Sequence, residues 1–524
     1  MTTAALSEEP DAPAPLTALP LITAYEGFPE LERRFLAARR EIWAGFRVFD
    51  LRTRLRSPEG RAIGETWLDL VVDRLRAGVA IHFVLADFDP VLATDLHRGT
   101  WRSVRQFAVA RELAGPCDLD LLPARAPARA GFGPRALFWP LVLKRIGREI
   151  ESIAEKPERE RVEALALAVG LRPHLREDPR GGLAVRARPV PHIYPATHHQ
   201  KLAVFDRETL FIGGLDLDER RYDDPDHRRP AEQTWHDVAV VTDAPAAVAA
   251  AQAHLESFRA GAPVPPAQTE GEPRFVRTLS RDASANPFRL SPQAALREIE
   301  AAYLDIFAKA RRLIFIETQY FRHRPLARAL ARLARAKPEL ELIMMLPAAP
   351  DDVAFEGSTG LDARFGEYLQ ARCVRRVKHA FGPRAFIGMP LRPVRSDSAD
   401  RDAALGSQIV YIHAKVAIAD DAIGMVGSAN LNGRSMRWDT EAGVVMADPP
   451  TVANLRRRLF EHWLPEDAGA DLFDLATARA AWSRLAAGNA ALPPRRRRGF
   501  VVPYDVRPGE EFGVPVPLMP EEIV

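Results

Sequence analysis

The sequence is short of several things, and each shortage narrows what the chain can be. It has two cysteines, Cys117 and Cys373, in 524 residues. Two thiols cannot form a disulfide framework or a tetrahedral cysteine cage, so they read as small buried hydrophobes. No apolar run reaches the roughly eighteen residues a spanning helix needs, and the chain is expected not to cross a membrane. The N-terminus, MTTAALSEEPDAPAPLTALP, has no basic segment followed by an apolar core, which argues against a secretory signal peptide. Net charge is nearly absent as well: 72 basic residues face 70 acidic ones, leaving +2. A dedicated nucleic-acid binder would carry a clear basic excess, so no nucleic-acid partner is expected, and attraction to anions must come from local patches. Lysine is the scarcest charged residue; Lys144, Lys156, Lys201, Lys309, Lys337, Lys378 and Lys415 are all there are.

What is present is a globular composition, 47% hydrophobic and 27% charged, long enough for two or three packing units. The expected location is cytoplasmic or peripheral to a membrane, with export as the alternative.

The chain reads as one unit written twice. Residues 1–20 are expected to be disordered. A helical pattern then covers 29–43, followed by a strand at 46–51, a helix at 67–76 and a strand at 79–85. The pattern restarts at 292–309, where Ser291 and Pro292 suit an N-cap and first turn. A strand at 313–316, a helix at 325–336 and a strand at 340–346 follow in the same order. Strand–helix–strand units at this spacing predict an α/β layered fold. Further on, HHQKLAVFDRETLFIGGLDL lies against IHAKVAIADDAIGMVGSANL, which marks an internal duplication. The expected boundaries are a first half at 21–260 with an insertion at about 98–189, a Pro/Gly-rich linker at 261–273, and a second half at 274–465. A helical and Pro/Arg-rich extension, loosely ordered near PPRRRRGF, completes the chain at 466–524. Within the insertion, GFGPRALFWPLVLKRIGRE mixes Phe132, Leu137, Phe138, Trp139 and Leu141 with Arg135, Lys144, Arg145 and Arg148. It reads either as a core helix pair with a solvated edge or as an interfacial element at lipid headgroups.

The aligned strings carry the chemistry. Residues two apart on a strand face the same side, so His199 points with Lys201, and His413 with Lys415. One such pair is weak evidence. The full string, His-x-Lys-x4-Asp with a glycine seven residues beyond the aspartate, occurs twice in matched places: His199, Lys201, Asp206, Gly213 and His413, Lys415, Asp420, Gly427. Two of the seven lysines fall inside it. Two imidazoles and two ammonium groups on one cleft suit attack on a phosphodiester: one histidine forms a phosphohistidine, and the other protonates the leaving alkoxide. The lysines would hold the non-bridging oxygens, so no metal and no cofactor is expected. Gly213 and Gly214 would let backbone approach the substrate, and Ser428 and Asn430 could donate to phosphate oxygens. Asp237 and Glu441, each leading an apolar strand, are placed to hold the other ring nitrogen of each histidine.

At these residues the chain resembles the phospholipase D superfamily, whose motif is His-x-Lys-x4-Asp-x6-Gly-[Gly/Ser]-x-Asn. The second copy, His413 through Asn430, fits throughout; the first has Asp216 in place of the last Asn. GGLDLDERRYDDPDH and IETQYF are similar to the branch that includes the eukaryotic enzymes, whereas cardiolipin synthases usually carry Arg where Gln200 stands. The resemblance implies two pseudo-twofold-related α-β-α sandwich halves with one site at their seam. It also implies hydrolysis of phospholipids to phosphatidic acid and a head group, by a monomer with an internal pseudo-dimer. By the same resemblance His199 is the nucleophile and His413 the acid/base, while Asp206 and Asp420 serve positioning. A cardiolipin synthase-like phosphatidyltransferase is the first alternative and a superfamily nuclease the second. Such an enzyme is expected to dock on anionic membrane through 132–148 and the arginines at 495–498.

Overall fold

The computed structural model describes residues 16–177, 182–282, 284–517 and 519–524, so most of the expected disordered N-terminus lies outside the described residues. Each half is a mixed sheet with the same strand order. The first runs Leu19–Ile22, Val238–Thr242, Thr209–Gly213, Leu202–Phe205, Glu41–Phe46, Ala80–Ala86, Leu119–Ala124. The second repeats it as Arg274–Arg281, Glu441–Met446, Ile423–Gly427, Lys415–Ala419, Leu313–Thr318, Glu341–Met345, Ala385–Arg395, with further short strands at its edges. In both, the three strands at the far end are parallel and the rest antiparallel.

Leu202, Val204, Ile212 and Val240 of the first sheet share one buried cluster with Phe315, Val416, Ile418 and Val444 of the second. The helices Pro245–Ala260 and Pro449–Trp463 add Leu255, Leu459 and Trp463 to the same cluster. The outer face of each sheet carries its own core under its own helices. The result is two α-β-α layers that share their inner face.

Several expected boundaries move. Leu19–Ile22 is an edge strand paired with Val238–Thr242, so the first half begins inside the stretch expected to be disordered. The first helix is Thr23–Ala37 and the next strand Glu41–Phe46, because the backbone N–H groups of Arg39, Arg40 and Glu41 turn onto the Asp206 carboxylate. Ser291 and Pro292 precede a strand, Gln293–Arg297, that pairs with Arg274–Arg281, and the helix starts later, at Glu298–Lys309. The expected insertion is too long. Its first part, Thr94–Ala114 and Leu119–Ala124, continues the parallel sheet as Leu361–Phe381 and Ala385–Arg395 do in the second half. The stretch around PPRRRRGF, expected to be loosely ordered, is held in place. Val501–Pro503 pairs with Ala385–Arg395, and buried Arg497 donates to Ser407 Oγ, the Asn489 carbonyl and the Leu405 carbonyl. Arg498 pairs with Asp467 at 2.6 Å, so two of the four arginines expected to face lipid are already engaged by protein.

The segment 132–148 is a single helix, Phe132–Ala154, rather than a pair. It buries Val142, Ile146, Ile150 and Ile153, and Phe138 and Trp139 pack partly against that core. The opposite face leaves Phe132 62%, Leu137 74% and Leu141 65% exposed, with Phe288 85% exposed beside Gly133.

Candidate active site

The two His-x-Lys pairs meet at the seam. Each histidine sits just before its strand rather than within it, and the other half holds it there. His199 N donates to the Thr440 carbonyl at 2.8 Å, and His413 N to the His236 carbonyl at 2.7 Å. The ring centroids are 6.4 Å apart, which leaves room for one phosphoryl group between them.

The carboxylates brace crosswise. Asp237, of the first half, has Oδ2 2.6 Å from Nδ1 of His413; Glu441, of the second, has Oε2 3.1 Å from Nδ1 of His199. Each imidazole therefore presents Nε2 as its free nitrogen. Burial, followed by the nearby Lys201 and Arg47 charges, holds His199 well below the ordinary histidine value; burial and Lys415 do the same to His413. Burial pushes Asp237 up to about 7 and Glu441 up to about 8. Burial thus disfavours the charged form on both sides of each pair, and both rings rest neutral.

The lysines lie beneath the rings. Lys201 Nζ donates to the His199 carbonyl at 2.5 Å and lies 3.6 Å from Asp216; Lys415 Nζ donates to the His413 carbonyl. Burial draws Lys201 down to about 8 and Lys415 to about 7. Asp216, at the place of the motif Asn, is a buried counter-charge: it takes the Val48 N–H at 2.8 Å and faces Arg221 at 3.7 Å.

The cleft above the rings has a volume of about 370 Å³ and is lined by Arg47, Arg221, Trp235, Arg322, Asn430 and Arg434 among others. The Trp235 ring lies 4.7 Å from that of His413, centroid to centroid. Ile523 and Val524, from the C-terminal extension, also reach the cleft wall.

Four expected substrate contacts fare differently. Asn430 lines the cleft and has a buried Oδ1 with no partner. Ser428 does not reach it, because its hydroxyl donates to Glu441 and its carbonyl faces His199 Nδ1 at 3.2 Å. Gly213 and Gly214 are small for a packing reason. A Cβ at Gly214 would stand 2.0 Å from Asp237 Oδ1, and one at Gly213 would stand 2.4 Å from the Val238 carbonyl. Asp206 and Asp420 lie at the far ends of their strands. Each accepts three backbone N–H groups, from residues 39–41 and 311–313, and each takes a left-handed φ, 52° and 53°.

Sequence reasoning passed over the arginines. Arg47, Arg221 and Arg434 have no spacing that sets them apart in an arginine-rich chain, and no motif marks Trp235. Proximity to two strings that already stood out was the one available signal, for Arg221 after Asp216 and Arg434 after Asn430.

The chain is similar to known proteins over part of its length. The family model described as cardiolipin synthase, PLD-like domain, matches residues 303–463. A phospholipase D of Phytophthora infestans is 29% identical over 174 residues, 28% of this chain and 9% of that protein. Human phospholipase D1 is 27% identical over 180 residues, 30% of this chain and 17% of that one. The phospholipase D1 of Schizosaccharomyces pombe is 25% identical over 346 residues, 49% of this chain and 25% of that one. These matches thus span a quarter or less of the relatives' own length. Among solved structures, a Haemophilus influenzae phosphatidylserine synthase covers 85% of this chain and 86% of itself, at 12% identity and a TM-score of 0.48. On its twice-written motif, its repeated sheet and the named relatives it matches, the chain belongs to the phospholipase D superfamily.

Proposed function

We propose that the chain is a phospholipase D, cleaving the distal phosphodiester bond of phospholipids to phosphatidic acid and a free head group. The observation that carries this is the crossed pair of buried imidazoles, 6.4 Å apart and each braced by a carboxylate of the other half. His199 Nε2 attacks phosphorus and its N–P bond forms as the bond to the head-group oxygen breaks. The proton held by the His413–Asp237 pair goes to that leaving oxygen. In the second step His413 takes a proton from water, whose oxygen displaces His199 from phosphorus. Lys201, Lys415 and the cleft arginines stabilise the charge on the non-bridging oxygens, and Asn430 contributes an amide N–H.

The match to a family model described by cardiolipin synthase favours a second reading, in which a lipid alcohol replaces water. Purified enzyme on mixed phospholipid vesicles decides between them, with soluble and lipid products both identified. Phosphatidic acid with free head group supports hydrolysis. Cardiolipin from phosphatidylglycerol would replace that reading with the transferase, and no turnover of any phospholipid would overturn both.

The substrate is presented at a surface, and the partner we propose is an anionic membrane. No described helix is long and apolar enough to cross a bilayer. The exposed face of Phe132–Ala154 instead joins Phe132, Leu137 and Leu141 to exposed Lys144, Arg145 and Arg148, an apolar band beside a basic one. Arg145 Nε donates to the Val91 carbonyl at 2.9 Å, which ties this helix to the segment carrying exposed Leu92 and Leu96, and Leu96 lines the cleft.

A further inference from the structure

Behind His413, on the side away from the cleft, three more histidines converge. His227 and His236 are fully buried, His462 is half-buried, and one ring nitrogen from each lies within 4.8 Å of the others. His227 Nε2 and His462 Nε2 are 3.0 Å apart. Two of the three rings are oriented from behind by carboxylates: His227 Nδ1 lies 2.7 Å from Asp223 Oδ2, and His236 Nε2 lies 2.9 Å from Glu317 Oε2. The carboxylates are themselves fixed. Asp223 accepts the Trp235 backbone N–H at 2.7 Å, and Glu317 accepts the Trp463 indole N–H at 2.5 Å.

The hydrogen bonds leave one atom over. With Nε2 taken by Glu317, His236 has Nδ1 buried and without any partner. A buried ring nitrogen carrying an unused lone pair or proton is costly. A ligand that accepts the lone pairs of all three rings would remove that cost. Carboxylate–histidine pairs in which the second ring nitrogen is left facing a common point are the usual outer shell of a metal centre.

We propose that His227, His236 and His462 bind one divalent transition-metal ion of the zinc class. Three neutral imidazoles suit borderline ions such as zinc or cobalt rather than magnesium or calcium, which prefer oxygen. Metal–nitrogen bonds near 2.0–2.1 Å in tetrahedral geometry put ligand nitrogens about 3.3 Å apart. Nitrogens that now lie up to 4.8 Å apart therefore close by as much as about 1.5 Å, and the His236 and His462 rings, stacked at 4.5 Å, turn to aim at the ion. Water takes the fourth position, reaching it past half-buried His462. His227 and His236 belong to the first half and His462 ends the helix Pro449–Trp463 of the second, so the ion clamps the two halves together. It does so one residue from Asp237 and through the carbonyl that receives the His413 backbone N–H. This goes beyond the phosphodiesterase reading and takes no part in its chemistry.

The test is a metal titration of the whole chain, stripped with chelator and then equilibrated with Zn²⁺ or Co²⁺. The wild type is expected to retain about one ion per chain after gel filtration. With Co²⁺ it should show the intense visible bands of a four-coordinate site, and the ion should raise the melting temperature. His227→Gln and His462→Gln should each drop retention at least fivefold while keeping the far-ultraviolet spectrum. The double variant His199→Asn with His413→Asn should retain the ion in full. A wild type without retained metal or cobalt bands overturns the proposal. So does retention unchanged in both glutamine variants, or lost in the double variant, which would put the ion on the catalytic pair. Because the double variant is read for metal and not for turnover, this outcome is independent of whether the chain is a phospholipase D.

Discussion

The two halves repeat one design but brace their histidines with different parts. Behind His413 stands Asp237, short and close at 2.6 Å, and Gly214 leaves it space. Behind His199 stands Glu441, one methylene longer and at 3.1 Å, and Ser428, at the place of Gly214, donates to it. A shorter acid needs the neighbouring side chain removed; a longer one has reach to spare and gains a donor. The next layer differs too. Where the second half has His462 and Glu317 and the first contributes His236, the pseudo-equivalent places hold Phe258, Gly45 and Thr440. The space beside Gly45 is filled by Gln200, whose Oε1 receives a hydrogen bond from His254 Nε2 at 2.7 Å. The repeat keeps the His and Lys of each string and varies what surrounds and stands behind them.

The largest effects should come from the rings themselves. His199→Asn and His413→Asn are each expected to lower turnover about 10⁴-fold or more, because covalent catalysis is lost as a unit. An activated p-nitrophenyl phosphodiester, which needs no protonation to leave, separates their roles. His413→Asn should release a burst of nitrophenol equal to the enzyme and then stall; His199→Asn should release none. A burst from His199→Asn alone would exchange the assignments.

Next come the braces. Asp237→Asn and Glu441→Gln each leave a partner that can hold the wrong ring tautomer, and losses of about 10³-fold in kcat are expected, by analogy with triad carboxylates. Asp237→Asn should recover part of its loss on the activated substrate and Glu441→Gln should not. Equal recovery would mean that the two acids serve the same step.

The third contrast exchanges the small residues. Gly214→Ser pushes a side chain into Asp237 and should cost about a hundredfold in kcat with the far-ultraviolet spectrum kept. Ser428→Gly only removes a donor to Glu441 and should cost about tenfold or less. If both cost the same, the glycine is not there for Asp237.

The smallest effect concerns the helix Phe132–Ala154, which has no counterpart among the described residues of the second half. Leu137→Ser with Leu141→Ser should weaken vesicle binding severalfold at any salt. Lys144→Gln with Arg148→Gln should weaken it by about 1 kcal/mol per charge at low salt and little at high salt. Co-sedimentation measures both. Phe138 and Trp139 pack into the helix's inner face, so Phe138→Ser should lower the melting temperature rather than binding.

The sequence by itself determined the duplication, the α/β class and the two His-x-Lys strings, because each is written in local order and strand periodicity is a local property. It also named Asp237 and Glu441, since each begins an apolar strand at matched places. It misjudged the extent of the insertion. The helix Thr94–Ala114 and strand Leu119–Ala124 share topology, not residues, with Leu361–Phe381 and Ala385–Arg395. Only the tertiary structure decided that the braces cross between halves, since a carboxylate 176 residues before His413 is nearer to it than any in its own half's motif. Asp216 as a counter-charge, Ser428 turned onto Glu441, and Arg497 sealed inside the extension belong to the same class. So does the His227, His236 and His462 cluster, whose members lie as far as 235 residues apart. No spacing rule joins such residues. The shared inner face of two sheets does, by burying polar groups that then have to find each other.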